Sequence, residues 1–175
     1  MDYLGELDKR AALIQDWELR EFTCRVIHSI PESIWKMPSS FYHHLPDERC
    51  AWGNALHSLR VVDVCLILAE CLLVVGIQRD SLISAALLHD IGKRGLRGDT
   101  KIIQTSQHPT LVREIVRNLG IAPEDWDTVF LPIKDHMGKW SKGELPEFLS
   151  TKVVDNSMIL HLADCIVARW AEVVY

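Results

Sequence analysis

Residues 81–93 read SLISAALLHDIGK, and this stretch decides the fold. Its apolar residues, among them Ala85, Leu87 and Leu88, leave so little polar face that the segment reads as a helix packed on most sides. Asp80 or Ser81 is the expected N-cap, and Gly92 the expected stop. His89 and Asp90 follow the apolar run directly. Burying an imidazole or a carboxylate costs several kcal/mol unless the group is paired or bound to metal, so this dipeptide needs an explanation.

Working outward, the same conflict recurs twice. His57 sits in NALHSLRVV (54–62) and Asp164 in MILHLADCIVAR (158–169), each with apolar neighbours on both sides. One divalent cation would account for all four residues, because neutral imidazole and carboxylate suit ions such as Zn, Fe and Mn. Adjacent His89 and Asp90 can both reach one site only from a loosened helix end, which Gly92 supplies.

The rest of the chain is also helical in pattern. A first helix is expected from about Leu7 to Ile30, ending at Pro31, and an irregular segment follows to Gly53 with a turn of helix near Ile34. The central helix is expected from about Ala55 to Val75. Pro109 opens another, with the stripe Leu111, Val112, Ile115, Val116 and Leu119 and the stop at Gly120. Pro123 opens one that reaches toward His136, and the last covers Val153 to Val174. No run alternates long enough to demand a strand, so the class is all-α. With no repeat or linker, residues 1–175 read as a single domain.

Composition excludes several function classes. A net charge of −5 provides no basic field for long nucleic acid or an anionic membrane. The five cysteines are odd in number and never spaced as C-x-x-C, which argues against a zinc ribbon or disulfide framework and for reduced thiols in a cytoplasmic setting. Asp63 and Glu70 interrupt the apolar stretch from Val61 to Ile77, so it reads as a core helix and not a membrane span. MDYLGELDKR at the N-terminus has no apolar signal core.

The order H…HD…D, with its second element written LLHDIGK, resembles the HD superfamily of metal-dependent phosphohydrolases over about residues 41–170. The resemblance implies an HD-domain helical bundle in which His57, His89, Asp90 and Asp164 hold one metal. His108 and His136, the latter in IKDHMGKW, stand where dinuclear members place the ligands of a second ion, with Asp90 bridging. The implied cofactor is one or two divalent ions, with Fe, Mn, Zn, Ni, Co and Mg all open. The phrase PSSFYHHLPDERCAWGNALHSL (38–59) is similar to members that carry a His-His pair and a glycine before the first ligand, although Trp52-Gly53-Asn54 replaces a common Gly-Gly pair.

Charges around these positions bear on the substrate. Lys93, Arg94, Arg97 and Lys101 follow the HD dipeptide in a segment whose glycines let it fold back, and Lys134, Lys139 and Lys142 flank His136. A cationic rim on an acidic protein suits a phosphate-bearing ligand. Lys93 resembles a phosphate-contacting position of HD hydrolases. Arg94, Arg97 and His44 are candidate substrate contacts, and Trp140 could stack on a nucleobase. Arg60 and Arg169 could reach substrate or pair with a core carboxylate such as Asp63. His28 and His43 read as structural or solvated, and His161 as packing near Asp164.

The expected activity is phosphomonoester or phosphodiester hydrolysis of a nucleotide or other small phosphorylated metabolite by metal-activated water, with Asp90 and Lys93 catalytic. Two rivals use the same residues: a mixed-valent diiron oxygenase of the same fold, and a non-catalytic nucleotide-binding module. A homo-oligomer is compatible with the sequence.

Overall fold

The computed structural model describes residues 1–40, 44–95, 107–121, 123, 126–138 and 154–174, with side chains to residue 168 in the last helix. The described elements in chain order are α1 (Tyr3–Ala11), α2 (Trp17–Ser29), α3 (Glu32–Lys36), a 3-10 turn (Pro46–Arg49), α4 (Gly53–Cys71), α5 (Gly76–Leu88), α6 (His108–Leu119), α7 (Asp127–Asp135) and α8 (Asn156–Val174). No strand occurs among the described residues, as expected of an all-α chain.

Helix α4 is the hub, packing chiefly against α5 and α8, and α7 closes the group against α5 and α8. Val61, Val62 and Cys65 of α4, and every residue of α5 from Asp80 to Leu88, are buried. Helices α1, α2 and α3 cover the other sides of α4 and α5. The core therefore runs along α4 and α5, and the polar residues buried within it must find partners there.

Four boundaries differ from those expected. The stretch from Leu7 to Ile30 is two helices, not one, broken between Ala11 and Trp17 without glycine or proline. The cause is a long-range contact: buried Asp80 accepts hydrogen bonds from the backbone N–H groups of Gln15 (2.9 Å) and Asp16 (2.8 Å). Asp16 in turn caps α2 through Leu19 N–H (2.9 Å). Asp80 is thus an interior residue of α5 serving another element, not the N-cap of its own helix, which starts at Gly76. Pro123 lies ahead of α7, which begins at Asp127. The central helix stops at Cys71, and among the described residues no helix is long and apolar enough to cross a membrane.

Helix α6 behaves as its sequence suggests. Pro109 sits in its first turn and Gly120 ends it in the left-handed region at φ 65°. The short helix α3 forms around Ile34, also as expected. All five cysteines are free thiols.

Candidate metal centre

Five elements deliver polar side chains to one buried point. His57 comes from the second turn of α4, and Asp164 from the middle of α8. Helix α5 ends at Leu88, four residues before Gly92, the expected stop, so His89 and Asp90 lie on the turn of residues 89–95. His108 begins α6, and His136 follows the last residue of α7. His57, His89, Asp90, His108 and His136 are all buried.

The short approach between the α5 turn and α6 depends on Gly92. A Cβ at this position would stand 2.2 Å from the backbone oxygen of His108, so only glycine lets the two segments close. The expected role of Gly92 as a loosener of the helix end is therefore joined by a second, steric one.

Asp90 divides the cluster into two sides. Its Oδ2 faces His89 Nε2 (3.2 Å), His57 Nε2 (3.4 Å) and the ammonium of Lys93. Its Oδ1 faces His108 Nε2 (3.1 Å), and His108 Nε2 lies 3.2 Å from His136 Nε2. On the first side, His57 Nε2 also meets Asp164 Oδ1 (3.1 Å) and His89 Nε2 (3.3 Å). The groups His57, His89, Asp90 and Asp90, His108, His136 each bring their donor atoms within 4.8 Å of one another.

Tautomers show what this arrangement is suited to hold. His89 Nδ1 lies 2.8 Å from Ala86 O, and His136 Nδ1 lies 2.6 Å from Ile133 O. A carbonyl can only accept, so each Nδ1 carries a proton and each Nε2 is the nitrogen turned inward. Imidazole nitrogens and carboxylate oxygens thus converge, and a cation is the charge that all of these contacts could share. The spacing agrees: two ligand atoms about 2.1 Å from one ion, at tetrahedral to octahedral angles, lie roughly 3.0–3.4 Å apart. The described contacts span 3.1 to 3.4 Å.

Protonation follows from burial and charge. Burial, with His108 and His89 beside it, pushes His136 down to about 3, so its ring is neutral near pH 7. Burial works against a charged His57, but Asp164 and Glu48 outweigh it and raise the group to about 9. Burial would raise both carboxyls, yet the histidines around Asp164, and His89 and Lys93 around Asp90, hold them well below the usual carboxylate range. A cation arriving at His57 would therefore replace a proton.

Several expected contacts have other partners. His44 is not in an open polar loop: it is buried with Nδ1 2.8 Å from Glu48, and its ring lies edge-on to His57 at 4.5 Å between centroids. Arg60 pairs with Asp47 (2.6 Å) and Glu48 (2.6 Å), whereas Asp63 pairs with Arg10 (2.8 Å). His161 donates to the backbone oxygen of His136 (2.6 Å), and exposed His28 pairs with Asp8 (2.8 Å). Lys93 lies beside Asp90 and reaches Ser39 O (3.4 Å) and Oγ (3.3 Å). Arg94 lies on the same turn, half-buried. Arg97, Trp140, His43, Lys101, Lys139, Lys142 and the side chain of Arg169 lie outside the described residues.

Sequence reasoning missed Glu48. It is fully buried on the 3-10 turn, where the text PDER reads as a solvated bend. The local sequence carries no signal for its burial.

An HD domain family profile matches residues 54–169. No curated protein and no solved structure matches the chain. The profile covers well over half of the chain, and its span includes the HD dipeptide, its flanking histidines and the aspartate of α8, so the chain belongs to the HD domain family.

Proposed function

We propose that this protein is a metal-dependent phosphohydrolase that acts on a nucleotide or another small phosphorylated metabolite. The observation that carries the reading is the convergence of imidazole Nε2 atoms and two carboxylates on a buried centre, with one ammonium, Lys93, at its edge. His57, His89, Asp90 and Asp164 would hold one divalent ion, and His108 and His136, with the second oxygen of Asp90, another. Family membership supports a metal-dependent phosphohydrolase type of chemistry. Divalent ions supply Lewis acidity toward a phosphoryl oxygen and bring water ionisation toward neutral pH.

The chain's own residues have distinct tasks in this scheme. Asp90 offers one oxygen to each side and so sets the distance between them. Lys93, part-buried and held by Asp90 and Ser39, is placed to offset charge that develops on phosphoryl oxygens and can return a proton to a leaving oxygen. Arg94, on the same turn, adds a second positive charge there.

Metal analysis of the purified protein, followed by a phosphatase and phosphodiesterase panel with Mn, Fe, Ni and Co, tests the proposal. Metal-dependent phosphate release is expected. Oxygen consumption with a diiron EPR signal and no phosphate release would move the protein to the oxygenase reading, which the same four histidines and two aspartates suit.

A further inference from the structure

Glu48 lies on the side of His57 that faces away from the candidate metal centre. His57 Nε2 points to Asp90, Asp164 and His89, while Nδ1, which makes no hydrogen bond in this geometry, faces Glu48 Oε2 at 3.3 Å. The same oxygen meets His44 Nδ1 at 2.8 Å, and the other, Oε1, accepts from Arg60 at 2.6 Å. The carboxylate is fully buried, and the groups it faces are all nitrogens, those of His44, His57 and Arg60. A buried charge of this kind is expensive unless every lone pair has a use.

The backbone around Glu48 is fixed as tightly as its side chain. Glu48 O accepts from Ser39 N–H (2.9 Å), and a Cβ on Gly53 would stand 1.9 Å from that oxygen. Ser39 also contacts Lys93. One segment therefore braces both the ammonium and an imidazole that face Asp90 Oδ2.

We infer that Glu48 is a positioning residue for the metal centre: it holds the proton of His57 on Nδ1, so that Nε2 is the ligand atom and is aimed at Asp90 and Asp164. This rests on the reading of His57 as a ligand. A carboxylate behind a ligating imidazole fixes its tautomer and raises its basicity, and losing such a partner typically costs about 10- to 100-fold in metal affinity. Arg60 and His44 complete the arrangement by engaging Oε1 and Oε2 of Glu48, which keeps the carboxylate from turning away.

The test uses the full chain with Zn(II) as the probe. Affinity would be measured by competition with a chromophoric chelator for the wild type and Glu48→Gln, alongside imidazole 15N spectra and melting of the metal-free proteins. The expected result is about 10- to 100-fold weaker binding at the tighter site in Glu48→Gln, with little change at the weaker one. In the wild type, the 15N spectrum should show His57 protonated on Nδ1 with Nε2 shifting on Zn(II) addition. Binding within twofold of wild type would overturn the inference, as would metal on Nδ1 of His57. The wild-type spectrum decides this even should Glu48→Gln fail to fold. A wild type that binds no Zn(II), Mn(II) or Fe(II) would instead sink the metal reading itself, and with it this role for Glu48.

Discussion

The two sides of Asp90 are built differently. On the Oδ2 side, His57 and Asp164 project from long helices, α4 and α8, whose neighbouring residues are core. His57 is backed by Glu48, and His89 by the carbonyl of Ala86. On the Oδ1 side, His108 and His136 stand at the ends of shorter helices, α6 and α7. Their placement depends on backbone contacts: the close pass of Gly92 against His108, and the His161 ring on the carbonyl of His136. Side chains on long packed helices have their positions set by many contacts, whereas side chains at helix ends move with a few. The first side is therefore expected to bind its ion more tightly, and the second to exchange more readily.

Removing the shared carboxylate should have the largest effect. Asp90→Ala is expected to bring metal content to background and activity to the uncatalysed level, read by elemental analysis and phosphate release. It should also lower the melting temperature, since the imidazoles lose the carboxylate that offsets them. Retention of one equivalent of metal would mean that the two sides do not share Asp90.

The asymmetry itself is tested next. Replacing both His108 and His136 with Ala should halve metal content and leave the tighter ion in place. Activity should fall by several orders of magnitude if two ions act together. A double variant with unchanged stoichiometry and activity would assign these two histidines to packing.

Gly92→Ala is expected to act on the same side through the backbone. The added methyl must push His108 away, because a separation of 2.2 Å from a backbone oxygen is untenable. Loss of the weaker metal with the tighter one retained, and a stability decrease of about 1–3 kcal/mol by denaturant melt, are predicted. A variant that keeps both ions would show that α6 can shift without cost.

The smallest effect on the centre is expected away from either side. Asp80→Ala removes the acceptor for the N–H groups of Gln15 and Asp16, which should cost about 1–3 kcal/mol of stability. Metal affinity should stay within twofold. A large loss of metal here would mean that the α1–α2 break and the centre are coupled through α5.

Asp80 also shows where local reading stops. Position 80 precedes an apolar run, so a capping role is the natural inference from sequence. The chain instead starts the helix at Gly76 and uses Asp80 to hold a turn some 65 residues earlier. The break between α1 and α2 has no glycine or proline to announce it, because its cause lies in another helix.

What the sequence by itself determined was the helical class and the residues of the cluster. Periodicity is local, and a His or Asp inside an apolar helix is visible as an unsatisfied cost wherever it occurs. LLHDIGK, His57 and Asp164 are legible on those grounds, and His108 and His136 through the family pattern. Only the tertiary structure decided the second ring of contacts. Glu48 and His44 lie in a short polar stretch whose text is that of an exposed bend, and they are buried because Arg60, His57 and Gly53 close over them. Burial of a charged residue in a turn is set by what packs onto it from distant positions, and no spacing within the turn encodes that.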